Sequence, residues 1–168
     1  GKPCTCDRVF NGFYWVDLKG LSYKELPASP GVYALRLVSI DSPGELLGKV
    51  RRAYEVGVEM LMGASWRELW SYYGSRLDRL KRVNPILCPV IYIGGTGKGK
   101  GTLRSRFRDL AGLRHTIFYP VFVLLLAGCE IDYGWKPLTS SAEAFNHEER
   151  VKRGYLEVHG ELPPLNKR

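Results

Sequence analysis

Long apolar runs are missing from this chain, and with them the simplest route into a membrane. No stretch of its 168 residues approaches the roughly 20 consecutive apolar positions that a spanning helix requires. The run at 118–127 is too short, and the first residues carry no secretory signal. A cytoplasmic protein outside the membrane is expected. Cysteine is sparse as well: Cys4, Cys6, Cys88 and Cys129, with no repeated CxxC pair. Cys4 and Cys6 are too close in sequence to bridge comfortably, and the spacing is poor for a four-thiolate zinc site. Free thiols are the expectation. Internal repeats, low-complexity tracts and linkers are also absent, which leaves one domain over 1–168.

Acidic residues fall short of basic ones, 17 against 25, for a net charge of +8 and a pI near 9.4. That balance favours a polyanionic partner, most often nucleic acid and sometimes an anionic membrane surface. The basic residues have a focus. Val90-Ile91-Tyr92-Ile93 is a short, apolar, β-branched run closed by glycines, and reads as a buried strand. Behind it come the glycine-lysine loop Gly95–Gly101 and a basic helix opened by Thr102. Bare N–H groups and the positive end of a helix dipole at such a junction attract an anion. Lys98, Lys100, Arg104, Arg106 and Arg108 add charge to it.

The remaining elements follow from pattern. Residues 1–28 form an N-terminal arm, with 13–17 reading as a short edge strand or a packed arm. Pro30-Gly31 launches a strand through Val38. Ser42 with Glu45, and Ser65 with Glu68, are capping-box signatures. They open two amphipathic helices, an αα-hairpin inserted at 43–83. The apolar run 115–127 is expected to be helical. Residues 130–135 alternate as an antiparallel strand, and Ser140 with Glu143 opens a helix to about His159. The fold class is therefore α+β, a small three-stranded antiparallel sheet flanked by helices, with a helical insertion between its first two strands.

Two phosphate-binding readings compete for the loop. The register Gly94 to Lys100 satisfies the P-loop pattern GxxxxGK[ST] until its last place, where Gly101 stands instead of the magnesium-binding hydroxyl. A P-loop also wants a parallel sheet. The other reading uses more of the chain. Gly31-Val32-Tyr33, Tyr92-Ile93-Gly94, Leu103-x-x-Arg106, Glu148 with Val151 three residues on, and Pro163-Pro164-Leu165-Asn166 together resemble the GIY-YIG nuclease family. The resemblance runs from Pro30 to Asn166 with the hairpin set aside.

That resemblance implies a metal-dependent DNA endonuclease, its biological setting open among restriction, homing, recombination and repair. Tyr33, Tyr92, Arg106, Glu148 and Asn166 would be its catalytic residues. Glu148 would hold one Mg²⁺ or Mn²⁺, with Glu149 or Glu143 as alternates. Tyr33 would act as general base or water-orienting group, supported by Tyr92. Lys98, Lys100, Arg104, Arg108, Arg114 and His115 would grip double-stranded or branched DNA. The chain departs from the family in its long insertion and in Leu110, which stands where many members carry a histidine. A homodimer or a recruiting partner protein would supply target preference that the insertion or the arm does not. A binding module of the same fold without cleavage is the alternative.

Overall fold

The computed structural model describes residues 4–39, 48, 49, 52, 79, 88–111 and 118–166. The expected insertion at 43–83 lies almost wholly outside them, as do Arg114 and His115. Gly48, Lys49, Arg52 and Arg79, which fall within that stretch, are helical.

Four strands make one antiparallel sheet: β1 (Tyr14–Asp17), β2 (Gly31–Ser39), β3 (Val90–Gly95) and β4 (Glu130–Pro137), in the order β1-β4-β2-β3. The expected three-stranded sheet is therefore one strand short. The fourth strand comes from the N-terminal arm, where Tyr14 to Asp17 pair with Trp135 to Asp132. A packing detail explains why the arm joins the sheet. Trp15 lies over Gly134, where an added methyl would come within 2.5 Å of the indole. The Arg36 guanidinium covers the same indole at 4.1 Å from the ring centre and pairs with Asp132 at 3.0 Å.

Helices α1 (Leu103–Ala111), α2 (Phe118–Leu126) and α3 (Ser141–His159) flank the sheet, and three 3₁₀ turns, Thr5–Phe10, Leu18–Gly20 and Tyr23–Glu25, precede β2. Leu103, Phe107 and Leu110 recur at helical spacing along α1. They pack with Val121, Val123 and Leu124 of α2 against Tyr33, Leu35, Leu37, Ile131 and Tyr133. The other sheet face carries Val32, Ala34 and Ile93. Val151 and Tyr155 of α3 cover them, with Cys6 and Phe10 of the 3₁₀ turn Thr5–Phe10. A register shift between Leu35 and Arg36 interrupts the alternation of β3, so both Ile91 and Tyr92 join the first core.

Capping is clear at both ends of α3. Ser140 Oγ accepts from the Glu143 N–H at 3.1 Å, as the capping signature requires. The Glu143 carboxylate, however, returns to the N–H and hydroxyl of Thr139, one residue ahead of the expected partner. Gly160 closes the helix with φ of 73°, the left-handed geometry that glycine adopts without cost.

Candidate functional site

The turn after β3 is held shut by Thr96. Its hydroxyl accepts from the Gly31 N–H at 3.1 Å, its own N–H donates to the Gly31 carbonyl at 3.1 Å, and the residue is buried. The ends of β2 and β3 are thus clasped where the expected site residues meet. All the described strand pairings are antiparallel, so the parallel context of a P-loop is not found among them.

Each side chain reaches this turn for a local reason. Tyr33 is the cross-strand partner of Gly94. A methyl on Gly94 would lie 2.6 Å from Tyr33 Cζ and 2.9 Å from Tyr92 Cε1, so the glycine lets the two phenols meet above the strand. Their ring centres are 6.0 Å apart, and the phenols are hydrogen-bonded to each other. Arg106, one turn into α1, lays its guanidinium on the bare backbone of Gly101. A methyl there would sit 3.2 Å from Nε, and Nη2 donates to the Thr96 carbonyl at 3.3 Å. Arg106 Nε is buried without a hydrogen-bond partner among the described residues.

Glu148 comes from the other side. It falls on the buried stripe of α3, between Ala144 and Val151, and its carboxylate lies against Gly95, where a methyl would overlap it. Adjacent strand residues point to opposite faces. Tyr33, Tyr92 and Arg106 therefore meet the turn from the α1 face and Glu148 from the α3 face. Glu148 is paired with Lys152 at 2.6 Å. Of the two alternates, Glu143 is committed to capping α3 and Glu149 is exposed.

Tyr33 is only 4% exposed, and burial pushes its pKa well above the ordinary value. The neighbouring Tyr92 and Tyr133 phenols raise it further, and the opposing pull of Arg106 is a smaller effect. A phenolate at Tyr33 is disfavoured, so the side chain serves more readily as a neutral hydrogen-bonding group than as a base. Tyr92 is the more accessible of the pair.

Asn166 does not face this cluster. Its side-chain oxygen accepts from the Ile93 N–H at 3.0 Å and its amide donates to the Ile93 carbonyl at 2.8 Å. It locks the C-terminal segment to β3, and Arg79 donates to its backbone carbonyl at 2.7 Å. Two of the expected DNA contacts are likewise occupied. Arg104 donates to the carbonyls of Leu26 and Lys24, and Arg108 lies 4.5 Å over the Tyr23 ring, so both brace the N-terminal arm. Lys98 and Lys100 are exposed on the turn, Lys98 above the Phe145 ring at 4.3 Å.

Sequence reasoning passed over two groups. Tyr133 shares a row with Leu35 and Tyr92, stacks on Tyr33 at 5.7 Å, and has a buried hydroxyl without a partner among the described residues. The second group is Cys4, Cys6, Cys88 and His159, whose ligand atoms all lie within 4.8 Å of one another and form a cluster able to hold a metal ion. The Cys6 thiol holds the Cys88 thiol below its ordinary value, and nearby His159 assists. Cys129 stands apart in the first core, where burial pushes it up to about 11.

No helix among the described residues is long and apolar enough to cross a membrane. Comparisons with family models, with curated proteins and with solved structures find no match for this chain.

Proposed function

We propose that this chain is a divalent-metal-dependent endonuclease acting on double-stranded or branched DNA. One observation carries the reading. Tyr33, Tyr92 and Arg106 from one face and Glu148 from the other, drawn from two strands and two helices, all border the single segment Gly94–Gly101. Its glycines leave the backbone bare where a phosphate can approach, and the net charge of +8 supplies long-range attraction for a polyanion.

Arg106 is the phosphate ligand in this scheme. Its fork of donors matches two phosphate oxygens, and its buried Nε is a donor still to be satisfied. Tyr92, the accessible phenol, orients the attacking water, and Tyr33 fixes Tyr92 through their hydrogen bond. Lys98 and Lys100 hold the neighbouring backbone.

Mg²⁺ or Mn²⁺ fits the donor set in a restricted sense. Hard divalent ions are commonly held by one or two carboxylates with water and substrate phosphate filling the rest. Glu148, with its side chain 13% exposed, provides such a carboxylate, and Lys152 is the cation it must exchange. Bound there, the ion supplies charge neutralisation at the phosphate. Asn166 acts at a distance, by pinning the segment that borders β3.

Nicking of supercoiled plasmid with Mg²⁺ or Mn²⁺ tests the reading. Arg106→Ala and Glu148→Ala are each expected to lower cleavage by about a hundredfold or more while DNA binding persists. The Lys152–Glu148 pair favours a second reading, a DNA-binding module of the same architecture without cleavage. DNA binding without metal-dependent nicking by the intact chain would select it.

A further inference from the structure

Cys4, Cys6, Cys88 and the last residue of α3, His159, form a cluster that the nuclease reading leaves unused. Cys4 Sγ lies 3.3 Å from Cys6 Sγ and 3.2 Å from His159 Nε2. Cys6 Sγ is also 3.5 Å from Cys88 Sγ and 3.3 Å from His159 Nε2. The chain brings these groups together across 155 positions between Cys4 and His159, and 82 between Cys6 and Cys88.

Two ordinary explanations fall short. A disulfide needs sulfurs about 2.05 Å apart. Cys4–Cys6 at 3.3 Å and Cys6–Cys88 at 3.5 Å are well beyond that, and all four cysteines are free. A network of thiol hydrogen bonds is the other. Cys6 Sγ then has three polar neighbours and a single proton, and sulfur is weak both as donor and as acceptor.

A tetrahedral cation accounts for all four groups at once. With about 2.3 Å to sulfur and 2.0–2.1 Å to nitrogen, zinc sets neighbouring ligand atoms about 3.5–3.8 Å apart. The four short separations, 3.2 to 3.5 Å, reach that with an expansion of a few tenths of an ångström, and all the ligand atoms lie within 4.8 Å of one another. Three thiolates and an imidazole favour a borderline-soft ion over Mg²⁺. Four protein ligands close the coordination shell, which marks a structural site rather than a catalytic one.

The surroundings support ligation. The Tyr155 ring lies 4.2 Å from the His159 ring, one helical turn away, and restricts its orientation.

We propose that Cys4, Cys6, Cys88 and His159 bind one structural zinc ion. It fastens the N-terminal 3₁₀ turn and the end of α3 to the residue that leads into β3. The proposal stands apart from the nuclease reading, since its readout is metal content rather than cleavage.

The full chain, produced with zinc in the medium and purified without chelator, is expected to carry about one zinc per molecule by mass-spectrometric metal analysis. X-ray absorption should give three sulfurs at about 2.3 Å and one nitrogen at about 2.0–2.1 Å. Cobalt(II) substitution should give the thiolate charge-transfer bands of a tetrahedral site. Cys88→Ser and His159→Asn should lose the stoichiometric metal, and Cys129→Ser should keep it. A folded chain that refuses added zinc overturns the proposal, as does binding unaffected by Cys88→Ser and His159→Asn. A first shell of oxygen and nitrogen alone overturns it too, and that measurement needs no variant to fold.

Discussion

Lys152 Nζ lies 2.6 Å from Glu148 Oε2, one turn further along the same helix, and so places a cation where the proposed metal ion would sit. Helical pairs at this spacing contribute about 0.3–0.5 kcal/mol when exposed, and this one is largely buried. Lys152→Met should therefore lower the urea midpoint, since it leaves the Glu148 carboxylate without its partner. It should lower the Mn²⁺ concentration needed for half-maximal nicking severalfold, by removing the competitor. An unchanged or raised requirement would mean that Glu148 is not the metal carboxylate.

Gly95 admits Glu148 because it has no side chain. Gly95→Ala should displace the carboxylate and cost about 1–3 kcal/mol of stability through overpacking. Much of that loss should return in Gly95→Ala with Glu148→Ala, since the second change removes the obstructing group. Denaturant unfolding of the two single variants and the double variant measures the coupling. Purely additive losses would show that the two residues do not oppose each other.

Asn166→Ala removes both side-chain hydrogen bonds to Ile93 and leaves a strand N–H and carbonyl without them. At about 1–3 kcal/mol for each abandoned buried group, a loss of about 2–6 kcal/mol is expected. Amide hydrogen exchange should show the Ile93 N–H losing protection ahead of the β2–β4 pairs. Equal loosening across the sheet would contradict the assigned role.

The buried tyrosines give the fold an alkaline limit. Tyr33 and Tyr133 both have pKa values raised by burial, whereas an unfolded tyrosine ionises near about 10. Above that pH the unfolded chain binds fewer protons than the folded one. Stability is thus fully present below about pH 10 and falls as pH rises toward the folded values, by up to about 1.4 kcal/mol per pH unit for each group. Urea unfolding between pH 8 and 11 checks the slope, and Tyr33→Phe should flatten it. Below about pH 9 the cleavage profile should carry no titration of Tyr33.

Much of this architecture was legible in local pattern. The runs that became β2, β3 and β4 are β-branched or alternating, and Ser140 and Gly160 mark the ends of α3 by chemistry that acts within a few residues. The β1 strand was only half legible. Four residues carry little periodic signal, and its place is decided by Trp15 finding Gly134, 119 positions away in the chain. The turn residues were readable because their order along the chain is distinctive. What they touch was not. Arg104 and Arg108 look like free cations in the sequence but spend themselves on Leu26 and Tyr23. The cysteine cluster was hidden for the same reason: its fourth member is a histidine at a helix end, and spacing conveys nothing about the folding that brings residue 159 to residue 4.

The pinned C-terminal segment has a bearing on self-association. β3 ends the sheet on one side, and there the Leu165 N–H donates to the Ile91 carbonyl while Asn166 occupies both polar groups of Ile93. A second molecule arriving at that margin meets backbone groups already engaged. Any extension of the sheet by a further strand would fall instead at the opposite margin among the described strands, Tyr14–Asp17, where Tyr14 offers an exposed ring.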